Sequence, residues 1–402
     1  MATFGKFAGI TAVLATCVCW LAPGAEAQTI KLGELNSYSR FPAGTVPARN
    51  GWQIALEEIN AKGGILGQKL EIISLDDGGT PTDALRAAEQ LVTRDKVSAL
   101  FGVWASNVAV AIGEYAGREK VPYISTIPIT NSLTMENGNP YTFRLRPNLH
   151  MQIGMLGDDV ARLGARRWAI VGPNYEFGHS AADSFKRVLK QRVPDAEIVV
   201  EQYPALGKID AGALANALEA AKPDAIFSSL FASDAAQFAR DGQSRGLFEG
   251  RTVIQLATGE PDVLRALGPN TPENWLVTGY PADQITEPTP HKEFLAKYIE
   301  RYKELPTSNA LLAYTSVYVL KAAVEKAGNA EPQELAKALK GFKFESIAGP
   351  IYFRAIDNQS TLGYWIGRTT VKDGKGALKD WRYVPGEKYL FSEDEVRAAR
   401  KQ

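Results

Sequence analysis

The chain has 402 residues, 45% of them hydrophobic and 22% charged, which is typical of a globular protein long enough for two domains. Its 45 basic and 45 acidic residues cancel. This balance excludes an electrostatic basis for binding nucleic acid or an anionic membrane surface, so we expect neither as a partner.

The N-terminal segment has the layout of a secretory signal peptide. One charge, Lys6, precedes an apolar run over residues 7–21, and an Ala-x-Ala-type cleavage site ends at Ala27. The run is too short for a membrane span. Both cysteines lie inside this segment, and an exported protein without disulfides fits the periplasm. A lipid anchor on Cys17, after a weak lipobox-like Leu-Ala-Thr string, is the alternative.

From residue 28 onward, short apolar runs alternate with segments of helical spacing. This alternation predicts β-α-β units and parallel sheets. The pattern restarts near residue 150, which predicts a second unit. The first unit has predicted strands at 30–35, 70–75, 97–103 and 121–125 and helices at 51–61, 81–94 and 106–118. The second has predicted strands at 167–171, 197–201, 225–230, 253–256 and 275–280 and helices at 152–163, 180–191, 211–221, 235–245 and 261–267.

The two units are not separated by a Pro- or Ser-rich linker, so we expect short crossings between them, the first near Arg146 to His150. Three later apolar-faced helices, predicted at 290–303, 310–327 and 332–340, are assigned to the first unit. The strands of the tail, including one at 351–353, are assigned to the second unit. The predicted organisation is residues 1–27 as signal peptide, 28–147 plus 280–348 as lobe 1, and 148–279 plus 349–402 as lobe 2.

Sequence signatures of catalysis are missing from the chain. It has no G-x-S-x-G nucleophile elbow, no phosphate loop and no dinucleotide-binding loop. Its three histidines share no metal-ligand spacing. The pair Asp76-Asp77 at a strand end fits a turn better than a two-carboxylate site. We therefore expect a protein that is not an enzyme and that uses no metal or cofactor.

Open α/β sheets bind ligands beyond the carboxyl ends of their strands, and this rule selects candidate residues. Trp104 and Ser106 follow the third predicted strand, and Ser106 is predicted to cap the next helix. Free backbone N–H groups there favour an anion such as a ligand carboxylate, although a plain helix cap fits equally well. Ile127 and Ile129 follow the fourth strand, where their backbone could add contacts. The corresponding candidates in the second unit are Tyr175 and Phe177 after one strand, Phe231 and Asp234 after another, and Glu260 after a third.

Several of these motifs, taken together, resemble the bacterial leucine/isoleucine/valine-binding protein family. The resemblance covers nearly the whole chain after the signal peptide, in order, and its most specific segment is Asn60-Ala61-Lys62-Gly63-Gly64-Ile65. The supporting motifs are Asp76-Asp77, the loop from Gly102 to Ser106, Tyr141-x-Phe143-Arg144, Val171-Gly172-Pro173-x-Tyr175-x-Phe177-Gly178, Gly349-Pro350 and Asp357-x-Gln359.

The resemblance implies an α/β fold of the type I periplasmic-binding-protein kind, with two doubly wound parallel-sheet lobes joined by a three-strand hinge. It also implies a monomer that clamps a small carboxylate ligand between its lobes and delivers it to the membrane permease of an ABC importer. By the same resemblance, Ser106 and the next loop hold the α-carboxylate, Glu260 holds the α-ammonium, and Tyr38, Phe177 and Phe231 line the side-chain pocket.

The chain departs from the family pattern in its pocket. The loop that is usually rich in Ala and Thr contains Ile127 and Ile129, Trp104 is bulky beside a carboxylate, and Phe177 and Phe231 stand where tyrosines are common. The predicted pocket is therefore drier and more aromatic. We expect a branched-chain or other hydrophobic amino acid as ligand, with a benzoate- or cinnamate-like acid as the alternative. A ligand-sensing domain for a membrane receptor is the alternative to an importer component.

Overall fold

In a computed structural model, the described part of the chain comprises residues 1–3, 5 and 29–401. The predicted signal peptide and the possible lipid anchor at Cys17 lie outside these residues, apart from a few at the extreme N-terminus. In chain order the strands are β1 (Ile30–Asn36), β2 (Leu70–Asp76), β3 (Ala99–Gly102), β4 (Tyr123–Ser125), β5 (Thr142–Arg144), β6 (Arg167–Val171), β7 (Glu197–Gln202), β8 (Ala225–Ser228), β9 (Thr252–Gly259), β10 (Leu276–Gly279), β11 (Lys343–Ser346), β12 (Gly349–Tyr352), β13 (Tyr364–Lys372) and β14 (Lys375–Val384).

Helices connect most of these strands and cover the sheets. They are α1 (Pro42–Ala61), α2 (Pro81–Glu89), α3 (Ser106–Glu119), α4 (Leu149–Arg162), α5 (Glu176–Arg192), α6 (Ala211–Ala221), α7 (Ala232–Ser244), α8 (Pro261–Leu267), α9 (Thr289–Tyr302), α10 (Ser308–Ala327), α11 (Pro332–Leu339) and α12 (Glu393–Ala399). Among the described residues, none of these helices has the length and apolarity that crossing a bilayer requires.

The strands form two large sheets, and each sheet with its helices makes one lobe. The sheet of lobe 1 has the order β2-β1-β3-β4-β5 and is parallel throughout. The sheet of lobe 2 has the order β14-β13-β10-β9-β8-β6-β7, in which the β10–β13 and β13–β14 pairs are antiparallel and the other pairs are parallel. Parallel strands require helical crossovers, so both sheets are covered by helices. The predicted doubly wound α/β fold is confirmed.

The chain passes between the lobes three times, from β5 to α4, from β10 to α9 and from β12 to β13. The first and third passages are tied together, because Nε of buried Arg144 donates to Oε1 of Gln359 at 2.7 Å. Helix α10 packs on α1 and β3 in lobe 1, whereas α8 packs on β9 and β14 in lobe 2. The exact domain boundaries stay a prediction.

Two of the elements that differ from the predicted pattern are β12 and α1. The tail strand expected in lobe 2 forms β12 and pairs with β11, because a tight turn between Ser346 and Gly349 folds it back. Helix α1 begins at Pro42, whereas its predicted start was Gly51. The Gly and Pro residues before Gly51 are typical of a loop, so the first turns of the helix were not predicted. A Cβ on Gly51 would lie 2.0 Å from the carbonyl oxygen of Ala310, so this glycine lets α10 pack closely on α1.

Candidate ligand-binding cleft

A cleft of about 130 Å³ lies between the lobes at the carboxyl ends of their strands. It is the place that the switch-point rule for α/β sheets selects. All of the predicted ligand-binding residues except Tyr38 and Asp234 line it. The residues lining the cleft are Ala43, Gly44, Trp104, Ser106, Ile127, Pro128, Ile129, Arg146, Tyr175, Phe177, Phe231, Ala232, Ala257, Glu260, Asp262, Val263, Thr307, Ser308 and Asn309.

The N-terminus of α3 opens into this cleft. The preceding chain turns sharply at Gly102 and Val103, which have φ of 102° and 65°. The N-cap residue is Ala105 and not Ser106, which is the first helical residue; Ala105 has no side chain with which to cap the helix. The first intrahelical hydrogen bond runs from Ala109 N to Ala105 O. The N–H groups before Ala109 and the Ser106 hydroxyl therefore make a suitable site for an anion.

The loop after β4 presents apolar side chains to the cleft. Ile127 and Ile129 are buried and line it. The polar group of the loop faces elsewhere, since the Thr126 hydroxyl accepts from Gly102 N at 3.2 Å and pairs with Ser316 at 2.9 Å. This loop can therefore contribute backbone groups and apolar contact, as the sequence indicated.

Aromatic side chains form one wall of the cleft. Trp104 of lobe 1 stacks on Phe41 with centroids 4.3 Å apart and meets Phe231 of lobe 2 edge-on at 5.3 Å. Phe231 in turn lies 5.6 Å from Phe177, which lies 6.0 Å from Tyr175. Tyr175 follows β6 as Phe231 follows β8, and both line the cleft. The wall offers ring faces and edges to an apolar ligand body.

Glu260 lines the same cleft from the N-cap position of α8 and is 7% exposed. Its Oε2 accepts from Ser308 N at 3.0 Å, and its Oε1 accepts from the Ser308 hydroxyl at 2.8 Å and the Tyr364 hydroxyl at 2.7 Å. A carboxylate offers about four lone-pair sites, so one remains on Oε2 for a ligand donor. Glu260 of lobe 2 is thus also bonded to α10 of lobe 1.

Two more charged residues of the cleft were not predicted as site residues. Asp262, two residues after Glu260, lines the cleft, and burial together with the nearby Glu260 charge raises its pKa to about 6. Arg146 is 8% exposed and lies on the first passage between the lobes. The sequence signal for Arg146 was available, because a charged residue at a predicted crossing must lie close to the space between the lobes.

Tyr38 lies away from the cleft, in a buried polar group at the end of β1. Its hydroxyl donates to Oε1 of Glu34 at 3.0 Å, and the Arg49 guanidinium lies 5.1 Å from the centre of its ring. Burial raises the pKa of the Glu34 carboxyl to about 7. The described residues contain no group of three His, Cys, Asp or Glu side chains that could hold a metal ion.

Two α/β lobes that enclose a small cleft at their strand ends, joined by three chain passages, define a bilobal solute-binding protein. The family model described as "Periplasmic binding protein" matches residues 29–375. The chain therefore belongs to the periplasmic binding protein family, and the predicted resemblance is confirmed.

Individual relatives agree with this assignment. The chain is 26% identical over 356 residues to the Leu/Ile/Val-binding protein homolog 7 of Brucella suis biovar 1, covering 83% of this chain and 87% of that protein. A solute-binding protein of an ABC transporter from Rhodopseudomonas palustris BisB5, in complex with 3,4-dihydroxybenzoic acid, is similar with a TM-score of 0.79 and 25% identity, over 89% of this chain and 98% of that one. The branched-chain amino acid transporter substrate-binding protein LivJ from Streptococcus pneumoniae, in complex with isoleucine, gives 0.77 and 25%, over 89% and 100%.

Proposed function

We propose that this protein is the periplasmic solute-binding component of an ABC importer and that it binds a small hydrophobic amino acid by lobe closure. One observation carries the proposal: a single cleft joins the uncapped N-terminus of α3 at Ser106 to the carboxylates of Glu260 and Asp262. The first favours a carboxylate and the second an ammonium, so the two ends of the cleft complement a zwitterion.

The charges of the cleft also favour a zwitterion. Glu260 and Asp262 are acidic, and Arg146 is the basic residue that lines the same space. A ligand with a carboxylate alone would add a negative charge to a site that already has two acidic groups and one basic group, and like charges repel strongly where water is excluded. An α-ammonium near Glu260 removes that penalty.

The size of the cleft limits the side chain of the ligand. A cavity of about 150 Å³ lined by apolar residues is enough to hold benzene, and the cleft measures about 130 Å³. The cleft must also hold the charged groups of the ligand, so it suits one small apolar body on the scale of a leucine side chain or a single ring. The walls of Trp104, Phe177 and Phe231 would pack against this body.

A small aromatic carboxylic acid is the second candidate ligand. The aromatic wall favours it, because Trp104, Phe231 and Phe177 present ring faces and edges suited to packing on another ring. The Rhodopseudomonas relative binds such an acid. In this case the carboxylate would still lie at Ser106, and Glu260 would act only through its bonds to Ser308 and Tyr364.

Isothermal titration calorimetry with leucine, isoleucine, valine, phenylalanine and benzoate tests the proposal. Ser106→Ala removes one hydrogen bond to a charged group, worth about 1.5–3 kcal/mol, and should weaken any of these carboxylates by roughly tenfold to a hundredfold. Unchanged affinity in this variant would remove Ser106 from the site.

Glu260→Gln separates the two ligand classes. It should weaken an amino acid by roughly a hundredfold, since a buried charge pair is lost, and should not weaken benzoate, because it removes a like charge from the cleft. Glu331→Gln, at the exposed N-cap of α11, is the matched control. Melting curves of all variants establish that they fold. A wild-type protein that binds benzoate and ignores all four amino acids would contradict the amino-acid proposal.

Export and transport need separate tests. N-terminal sequencing of the exported protein should give Gln28 as the first residue, and a lipidated N-terminus at Cys17 would contradict the signal-peptide proposal.

Loss of uptake of a labelled ligand in a deletion strain supports the importer, whereas intact uptake with a lost transcriptional response supports the sensor. Bound ligand should be recovered chemically unchanged, and the protein should run as a monomer in light scattering.

A further inference from the structure

The guanidinium of Arg146 has an unusual position at the edge of the cleft. The residue is 8% exposed and lines the cleft together with Ser308 and Asn309 of α10. Guanidinium groups carry five N–H donors and remain charged at any pH that a folded protein tolerates. Burial of such a group requires that each donor meets an acceptor.

Two side chains hold Arg146 in place. Its Nη1 donates to Oδ1 of Asn309 at 3.3 Å, and its Nη2 donates to the Tyr364 hydroxyl at 2.6 Å, with the guanidinium 5.0 Å from the centre of the Tyr364 ring. Asn309 is itself fixed, because its Nδ2 donates to the Gly44 carbonyl at 3.1 Å. The guanidinium plane is therefore oriented by residues of both lobes.

One nitrogen of this oriented group has no acceptor. Among the described residues, Nε of Arg146 has no hydrogen-bond acceptor, and the residue forms no ion pair within 4.0 Å. The Tyr364 hydroxyl links the Arg146 guanidinium to a negative charge, because this hydroxyl accepts from Arg146 and donates to Glu260 at 2.7 Å. What Nε requires is consequently an oxygen acceptor, and that acceptor need not be charged.

A second polar atom of the cleft lining also has no hydrogen-bond partner among the described residues. This atom is the buried hydroxyl of Thr307. A hydroxyl can donate as well as accept. Arg146 and Thr307 together offer a donor and a donor-acceptor in a cleft whose other walls are aromatic or aliphatic.

We infer that Arg146, with Thr307, is a specificity-determining residue that recognises an oxygen atom of the ligand other than its carboxylate. The inference depends on the proposed function, which gives the carboxylate to Ser106 and the end of α3. Because a small ligand has one carboxylate, the acceptor for Arg146 must be a second group. The inference narrows the proposed ligand from a purely hydrophobic one to a small carboxylate whose apolar body carries a hydroxyl or carbonyl oxygen.

Two probe pairs that differ by one hydroxyl test this inference by calorimetry: phenylalanine with tyrosine, and benzoate with 4-hydroxybenzoate. In at least one pair the hydroxylated member should bind the wild type about tenfold to a hundredfold more tightly. In Arg146→Met this preference should fall to within threefold, mainly because the hydroxylated probe loses affinity. Arg118→Met, at an exposed position on α3, should keep the full preference.

The outcomes separate this inference from the proposed function. If no carboxylate probe binds the wild type, both fail. If probes bind with no hydroxyl preference in either pair, or if Arg146→Met weakens both members equally because Arg146 holds the shared carboxylate, only the inference is overturned. Should Arg146→Met not fold, Arg146→Lys and Thr307→Val replace it, and each must reduce the preference at least threefold.

Discussion

The buried carboxyl of Glu34 predicts a pH-dependent loss of stability. Glu34 is 1% exposed at the end of β1 and accepts from Asn36 Nδ2 at 3.1 Å, Tyr38 at 3.0 Å and Ser74 at 2.6 Å. Desolvation outweighs these three hydrogen bonds and raises its pKa from 4.5 to about 7. Between these two values the folded protein keeps a proton that the unfolded chain has lost.

The sign and size of the effect follow from proton linkage. Because the folded state binds more protons, the free energy of unfolding falls as the pH rises from 4.5 to about 7, and it stays reduced above that window. One pKa unit corresponds to about 1.4 kcal/mol, so the full penalty at pH 8 is about 3 kcal/mol. Glu34→Gln removes the ionisation and keeps a similar shape, with its amide able to donate to Ser74.

Urea unfolding of the wild type and Glu34→Gln at pH 4.5 and pH 8 measures this penalty. The variant should gain about 3 kcal/mol relative to the wild type between the two pH values, and titrations common to both proteins, such as that of Asp262, cancel in the comparison. Glu71→Gln, on the exposed side of β2, should stay within about 0.5 kcal/mol of the wild type at both pH values. A difference between wild type and Glu34→Gln that does not change with pH would refute the reasoning.

Further predictions concern packing and the passages between the lobes. Gly51→Ala should lower the free energy of unfolding by about 1–3 kcal/mol, because its Cβ would meet the α10 backbone at 2.0 Å. Gly157→Ala, whose Cβ would have its nearest neighbour at 3.4 Å, should stabilise α4 by up to about 1 kcal/mol; similar thermal shifts for both would contradict the packing argument. Arg144→Met should cost about 3 kcal/mol in urea unfolding, since Gln359 and Thr134 lose their buried donor, and an unchanged midpoint would speak against this role.

The alternation of elements and the position of the cleft were predictable because both depend on local patterns. Apolar periodicity locates strands, and parallel strands bring their carboxyl ends to one edge, which places Trp104, Ser106 and Glu260 at the cleft. The N-cap was predicted one residue late, since the sequence favours Ser106 but the backbone turn at Gly102 and Val103 starts the helix after Ala105.

Features that depend on distant residues were not predictable. The start of α1 is decided by its packing on α10, which overrides the loop-like composition around Pro47. Tyr38 follows a strand end, as the site residues do, but it bonds back to Glu34 within the same lobe. The role of Arg146 becomes visible only when Asn309 and Tyr364, far along the chain, are placed beside it.

The bonds between Glu260 and Ser308 have a consequence for how the lobes can move. They join the start of α8 in lobe 2 to the start of α10 in lobe 1. Any motion that draws the lobes apart has to break these bonds and return the Glu260 carboxylate to water. The same carboxylate that lines the cleft therefore also acts as a latch between the two halves of the molecule.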